Sequence, residues 1–392
     1  MKNLNERLTL LQDKISQKHE PLRIMIIGLG SVGLYLLDYI VSMSNPNIEI
    51  IVVGRNSDKM QSDVNIVKTA ASIRRQLKSP IFIESGCNLE NIPAITDAIG
   101  KWNPDFIVNT SRVYSGLKYG SISWSNIRAY GIWTPLSVKF AKNIIQAHSD
   151  ADSDAITINT SYSDAVIPWL KSAGMNFYDF GSGNLNHLIP RMKFYISKKN
   201  AIRNFEDIDI SLAASHFHDV VISKEGHAEN QDILLDIKYQ GEALDFDKKD
   251  LLANCSIPMP TDQKRNMMNA SSNFDIISSI ITALGEKKKI KIHSPGVTGE
   301  IGGYPFMIDG SGNTKGYIDE SVFSLEKMRK ANMESIYLDG IEGIENGTLR
   351  YTPELIAKVK KAFNVDLPAS VALADADKTA DFLIRNIIRQ SF

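Results

Sequence analysis

Between Leu22 and Leu34 the chain reads Leu-Arg-Ile-Met-Ile-Ile-Gly-Leu-Gly-Ser-Val-Gly-Leu, and no other stretch restricts the fold as strongly. The six mainly apolar residues at its start make a short buried strand. Gly28, Gly30 and Gly33 then fall in the G-x-G-x-x-G spacing, and residues 34–43 continue as an apolar helical run. Gly28 permits the tight strand-to-helix turn, Gly30 lets a pyrophosphate approach the backbone, and Gly33 lets the helix pack closely on the strand. Unpaired N–H groups at the helix start, around Ser31 and Val32, face the anion. The motif in this setting predicts a dinucleotide site; the alternative is a structural glycine-rich turn.

Residues 48–53, 81–85, 105–109 and 154–160 read as further strands, separated by helical stretches at 57–77, 92–102, 135–148 and 164–173. Alternation of this kind predicts an α/β fold with a Rossmann-type doubly wound parallel sheet, followed by an α+β substrate domain. Leu4, Leu8, Leu11 and Ile15 recur at helical spacing and mark an amphipathic helix in residues 1–20. The predicted dinucleotide-binding domain is 21–180, and 181–392 is the substrate domain, with a strand at 176–180 before it and a C-terminal helical extension.

At the end of the second strand, where a dinucleotide-binding unit usually carries an acidic residue for the adenine ribose, stands Gly54-Arg55-Asn56-Ser57. Without a carboxylate there, nothing repels a 2′-phosphate, and Arg55 can pair with one. NADP is therefore favoured, with NAD possible; Arg55 could also cover the adenine with either cofactor. Asn56, with Thr110 and Ser111 after the fourth strand and Asn159 at the end of the fifth, completes the candidate cofactor set. Residues 110–130 are polar, with Gly116, Gly120, Arg112, Lys118 and Arg128, and read as a long loop: a functional lid or a solvated connection.

The balance of 43% hydrophobic and 23% charged residues with a net charge of -1 is that of an ordinary globular protein and points away from nucleic acid and membrane surfaces. The 2 cysteines, Cys87 and Cys255, lie far apart, which suits a reducing compartment. With a charged N-terminus and no apolar run of bilayer length, the expected location is the cytoplasm. A homo-dimer or tetramer is the expected assembly.

Further on, the turn Gly181-Ser182-Gly183 opens a helix carrying Asn184, Asn186, His187 and Arg191, and residues 208–212 lead into Ala213-Ala-Ser-His-Phe-His-Asp219. The chain has only 7 histidines, so His216 and His218 after a strand stand out. In order and spacing, residues 22–333 resemble the lactate and malate dehydrogenase superfamily. Asn159-Thr-Ser-Tyr-Ser-Asp164 is similar to its Asn-Pro-Val-Asp strand end beside the nicotinamide. Gly181-Ser-Gly-Asn-Leu-Asn186 is similar to its Gly-Ser-Gly-Thr-Asn-Leu-Asp, and Ala214-Ser-His-Phe-His-Asp219 to its Gly-Glu-His-Gly-Asp. The resemblance implies His216 as general acid/base, with His218 or His187 able to take that role. Asn186 stands where the family has the aspartate that orients the histidine, so Asp219 or another carboxylate would have to help. Ile189 stands at the position of its substrate-carboxylate arginine; Arg191 is near, but two more residues turn a helix by about 200°.

His187, His216 and His218 could also meet as metal ligands, although no metal is assigned. The related family 4 glycoside hydrolases use NAD and a divalent metal, but their Cys-Asn-x-Pro motif has no cysteine counterpart near Asn159. The amide and hydroxyl groups of residues 266–273 suit a polar small-molecule substrate, while residues 293–304 form either a substrate loop or a wide hairpin connection. Residues 335–392 run past the family's usual end, with helices near 352–363 and 375–389 that could cover the cleft, pack on the core or build an oligomer contact. The expected activity is an NAD(P)-dependent oxidoreductase that interconverts a hydroxyl and a carbonyl. The alternatives are a dinucleotide-binding protein without turnover and a metal- and NAD-dependent glycosidase-like enzyme.

Overall fold

The computed structural model describes residues 2–17, 20–183 and 185–391; Asn184 lies outside them. The first part of the chain runs α1 (Leu4–Gln17), β1 (Leu22–Ile27), α2 (Ser31–Ser42), β2 (Ile48–Val53), α3 (Ser57–Ile73), β3 (Ile81–Glu84), α4 (Ile92–Trp102) and β4 (Phe106–Asn109). It continues with α5 (Gly116–Asn126), α6 (Thr134–Asp150), β5 (Ile156–Asn159), α7 (Ser163–Ser172) and β6 (Phe180–Gly181). These strands make a 6-stranded sheet in the order β3-β2-β1-β4-β5-β6, parallel throughout. The order reverses between β1 and β4, which is where an open α/β sheet offers a crevice for a ligand.

Alternation along β1 explains why both faces are covered. Ile24 and Ile26 point to one side, against Leu36 and Ile40 of α2 and Ile277; Met25 and Ile27 point to the other, against Ile95, Val138 and Ile145. Ile27 pairs with both Val53 and Asn109, and Asn109 with Asn159, so the strand ends stand level. The first loop residues prolong the ladder: Gly28 N–H donates to Val53 O at 2.9 Å, Thr110 N–H to Ile27 O at 3.0 Å and Ser182 N–H to Asn159 O at 3.0 Å.

Beyond the sheet come α8 (Leu185–Lys199), β7 (Ile208–Ala213), α9 (His216–Glu225), β8 (Leu234–Tyr239), β9 (Glu242–Ala243), α10 (Lys248–Asn254) and α11 (Asn266–Gly285). Then follow β10 (Lys289–Pro295), β11 (Gly303–Asp309), β12 (Lys315–Ile318), α12 (Leu325–Leu338), β13 (Ile341–Glu345), β14 (Thr348–Tyr351), α13 (Pro353–Phe363), β15 (Ser370–Ala372) and α14 (Ala376–Leu383). Their strands form antiparallel sheets β7-β8-β9, β10-β11-β12 and β13-β14-β15. The molecule is thus an α/β fold with a Rossmann-order sheet followed by an antiparallel α+β region. Of residues 293–304, the two ends belong to β10 and β11, where Pro295 pairs with Gly303, and 296–302 are the connection of this hairpin.

Two segments depart from the sequence reading. Residues 110–130 are not one long loop: α5 forms because Tyr119, Ile122 and Ser123 share an inward face, with Tyr119 packed 5.3 Å from Trp133 and the Trp133 indole N–H donating to Ser123 Oγ. The expected strand at 176–180 shrinks to Phe180–Gly181, since Tyr178 leaves the sheet line to bury its ring and donate to Ala141 O at 3.0 Å. The C-terminal extension packs on the core: Leu355, Val359, Ala376, Leu383 and Ile387 join the cluster beneath the β1 face that carries Met25. No helix of the described residues is long and apolar enough to cross a membrane.

Candidate functional site

A cavity of about 820 Å³ opens at the level strand ends and runs from the glycine loop to α9. Gly28 has φ +96°, and a Cβ on it would come within 2.9 Å of Ser111 Cα. A Cβ at Gly33 would lie 2.3 Å from Gly28 O, which explains the close seating of α2, whereas Gly30 has nothing within 4 Å and leaves open space. Gly30 is also the N-cap of α2 and offers no side-chain cap, so the first-turn N–H groups at Ser31 and Val32 remain available to an anion. From the opposite side Asn266, at the start of α11, donates to Ser31 Oγ at 2.6 Å.

Gly28, Gly30, Ser31, Val32, Arg55, Asn56, Thr110 and Ser111 all line this cavity. Thr110 Oγ1 is anchored on Gly28 O at 2.5 Å, and Ser111 Oγ donates to Asn109 Oδ1 at 2.6 Å. Asn56 spends its side chain on capping α3, accepting from Lys59 N–H at 2.9 Å. The exposed Arg55 side chain has no ion-pair or hydrogen-bond partner among the described residues, its carbonyl accepting from Gly86 N–H at 3.3 Å, and Lys59 stands on the same wall. Gly33 and Asn159 do not reach the cavity surface. Asn159 is buried, with its amide donating to Ser161 O and Ser163 Oγ, both at 3.0 Å, and its oxygen accepting from Asn109 at 3.0 Å.

At the other end His216 opens α9. Its Nδ1 lies 2.9 Å from Asp339 Oδ2, and its backbone N–H donates to Asp164 Oδ1 at 3.0 Å. Asp339, with its side chain fully buried at the end of α12, also accepts from the Tyr162 hydroxyl at 2.7 Å and from Tyr130 N–H at 2.7 Å. The Tyr130 and Tyr162 rings meet the imidazole edge-on, 4.8 and 5.1 Å between centroids. With Nδ1 committed to the carboxylate, Nε2 is the nitrogen left for the cavity. Burial pulls the His216 pKa down, but the charge and hydrogen bond of Asp339, helped by Asp164, outweigh it and leave the pKa raised. Burial dominates at Asp164 and pushes its carboxyl up to about 6, against the pull of His216.

His187 is on the same wall, its Nδ1 3.5 Å from Asp219 Oδ2, and its buried Nε2 has no partner. Buried Ser182 Oγ is likewise unpartnered and lines the cavity. Three expected residues are placed elsewhere. His218 is turned away because two residues along a helix rotate a side chain by about 200°; its ring nitrogens meet Ser335 Oγ at 2.6 Å and Ala228 O at 3.3 Å. Arg191 is buried with Nη1 donating to Cys255 O at 2.9 Å. Asn186 donates to Ser272 Oγ at 3.0 Å. His187, His216 and His218 therefore do not gather around one point. Among the described residues, the one group spaced like metal ligands is Glu225, His227 and Glu229, whose carboxylates already hold Arg128.

A helping carboxylate is expected from the sequence, but Asp339 sits 123 residues from His216 in an Asp-Gly turn with no motif of its own, so no local pattern points to it. Asp164 was within reach, as the last residue of the strand-end motif beginning at Asn159.

The fold is that of the malate and lactate dehydrogenases. The lactate dehydrogenase of Cryptosporidium parvum, solved with lactic acid and nicotinamide adenine dinucleotide, superposes with a TM-score of 0.54 at 14% identity, over 81% of this chain and 95% of that one. For the malate dehydrogenase of Aeropyrum pernix the TM-score is 0.53 at 16% identity, covering 81% and 97%. The malate dehydrogenase of Plasmodium falciparum in complex with NADH gives 0.50 at 14%, covering 88% and 99%. No family model matches the sequence, and no curated protein matches it.

Proposed function

We propose that the protein is an NAD(P)-dependent oxidoreductase, with NADP favoured, that interconverts a hydroxyl and a carbonyl on a polar small molecule, using His216 as general acid/base and Asp339 as the carboxylate that orients it. The observation that carries this reading is the His216-Asp339 pair facing the cavity that begins at the glycine loop. A dinucleotide fits the residues present: the Gly30 position is open where a side chain would fill it, and uncapped N–H groups of α2 point into that space.

When bound, the cofactor supplies or accepts the hydride. Reduction of a carbonyl then needs a proton, and the His216 imidazolium donates it from Nε2 to the substrate oxygen; in oxidation neutral Nε2 takes the hydroxyl proton. Asp339 holds the ring through Nδ1, and its charge stabilises the imidazolium. Tyr130 and Tyr162, wedged edge-on against the ring, prevent its rotation, and Tyr162 adds a hydrogen bond to the Asp339 oxygen that faces the imidazole. Unpartnered Ser182 Oγ and His187 Nε2 supply polar contacts at the reacting end.

NADP preference rests on Arg55 at the mouth of the cavity, free of any carboxylate partner. Titration of NADPH and NADH into wild type and Arg55→Ala is expected to show a selective loss of NADPH affinity of roughly 1–3 kcal/mol, the worth of a charge-assisted hydrogen bond. Equal weakening of both cofactors would remove the 2′-phosphate assignment. Tight NADPH binding without turnover on any member of a broad carbonyl panel would favour a binding protein over an enzyme.

A further inference from the structure

One face of α9 lines the end of the cavity away from the glycine loop: His216, Asp219, Val220, Ser223 and Lys224 all border it. Eight residues of helix rise about 12 Å, so Lys224 stands two turns beyond the imidazole. An aromatic floor connects the two. The Tyr130 ring is 4.8 Å from His216, Trp124 is 6.2 Å from Tyr130, and Lys224 Nζ lies 5.0 Å from the Trp124 centroid. Arg265, just before α11, lines the same cavity, near enough for its charge to act on Lys224.

Lys224 and Arg265 are like charges close enough to disfavour one another. Burial first, then the Arg265 charge, hold the Lys224 ammonium below its ordinary pKa, with Glu225 pulling weakly the other way. Neither cation has a carboxylate partner among the described residues: Asp219 faces His187, and Glu225 is taken by Arg128 and His227. Lys224 is exposed and Arg265 half-buried, and two unneutralised cations facing one space favour an anion arriving there. Their combined charge matches a dianion.

Resting on the reading of His216 as the reacting end, we propose that Lys224 and Arg265 form a distal anion subsite that takes a phosphate group carried on the far arm of an extended substrate. A small hydroxy acid, whose charged group adjoins the reacting carbon, spans far less than the distance from His216 to Lys224. The Trp124 and Tyr130 faces give the intervening arm an apolar floor, and the substrate class is a phosphorylated hydroxy or oxo compound.

The test is calorimetric titration of inorganic phosphate at fixed ionic strength, into wild type saturated with NADPH and into the cofactor-free Arg55→Ala protein. Phosphate is expected to bind in both. Lys224→Met with Arg265→Met should weaken it at least tenfold while leaving NADPH affinity unchanged, and Lys224→Arg should retain it. Phosphate affinity that is the same in wild type and the double variant, or that disappears with Arg55→Ala alone, overturns the subsite. Should NADPH itself fail to bind, the cofactor reading falls, and the cofactor-free arm still decides the anion subsite.

Discussion

In the proposed reaction, Asp339 is the residue on which the chemistry turns. A neutral amide in its place keeps the shape and still accepts from Tyr162, but it removes the charge that favours imidazolium. Asp339→Asn is therefore expected to slow turnover by about 10²- to 10⁴-fold, the range associated with a positioned acid/base. Reduction needs protonated His216, so its rate is flat at low pH and falls as pH rises through a pKa held above the ordinary 6.5. In Asp339→Asn burial acts with less opposition, and the falling limb should move to lower pH; a limb that stays in place would mean that Asp339 does not act on His216. The sequence could not show this pair, because a carboxylate 123 residues away acquires its role only through the packing of α12 against α9. His218 misled for the opposite reason: a histidine two positions along is close in sequence and on the other face of the helix.

Among the elements, β1 and the start of α2 were legible since the information is local: strand alternation, then three glycines at a fixed spacing, two of them required by close contacts and Gly30 leaving open space. The helix α5 was hidden because a short inward face, Tyr119, Ile122 and Ser123, is too small a stripe to stand out in a polar segment. The helix α1 was legible as amphipathic, but its fastening was not. Arg7 reaches Ala155 O at 2.7 Å and Asp179 Oδ2 at 2.9 Å, with side chains 5% and 6% exposed. Asp179 also accepts from Thr157 N–H at 2.8 Å and its hydroxyl at 2.9 Å. Arg7→Met strands a buried carboxylate and is expected to lower unfolding free energy by roughly 3–5 kcal/mol. Adding Asp179→Asn should recover part of that loss; if the single variant melts like wild type, α1 is not held by this pair.

For the molecule as a whole, acid stability follows from histidines buried as neutral rings. Burial, then the charges of Lys291 and Lys193, push His293 down to about 3, while its Nε2 accepts from Leu212 N–H at 3.3 Å. Burial also lowers His148 and His218. A depressed histidine contributes stability that is present above its ordinary 6.5 and is lost as pH falls toward the folded-state value. Denaturant unfolding is thus expected to show stability declining from pH 7 to 4, by about 1.4 kcal/mol per unit for each such histidine that stays neutral. His293→Gln should make the decline shallower; an unchanged slope would show that His293 does not contribute. The two-sided core and the level strand ends were foreshadowed by apolar runs, whereas the joining of α13 and α14 to that core was one of several open possibilities, since an amphipathic helix does not name the surface that covers it.

Hydride transfer is the step of the proposed reaction that can be measured most directly. NADPH carrying deuterium at its transferable position, mixed with a panel of phosphorylated and unphosphorylated oxo compounds, should pass that deuterium to the carbinol carbon of at least one of them in wild type. His216→Ala and Asp339→Asn should bind NADPH equally well and transfer it at least about 10²-fold more slowly. Deuterium transfer that proceeds at the wild-type rate without His216, or no transfer from tightly bound NADPH to any carbonyl, would contradict the assignment.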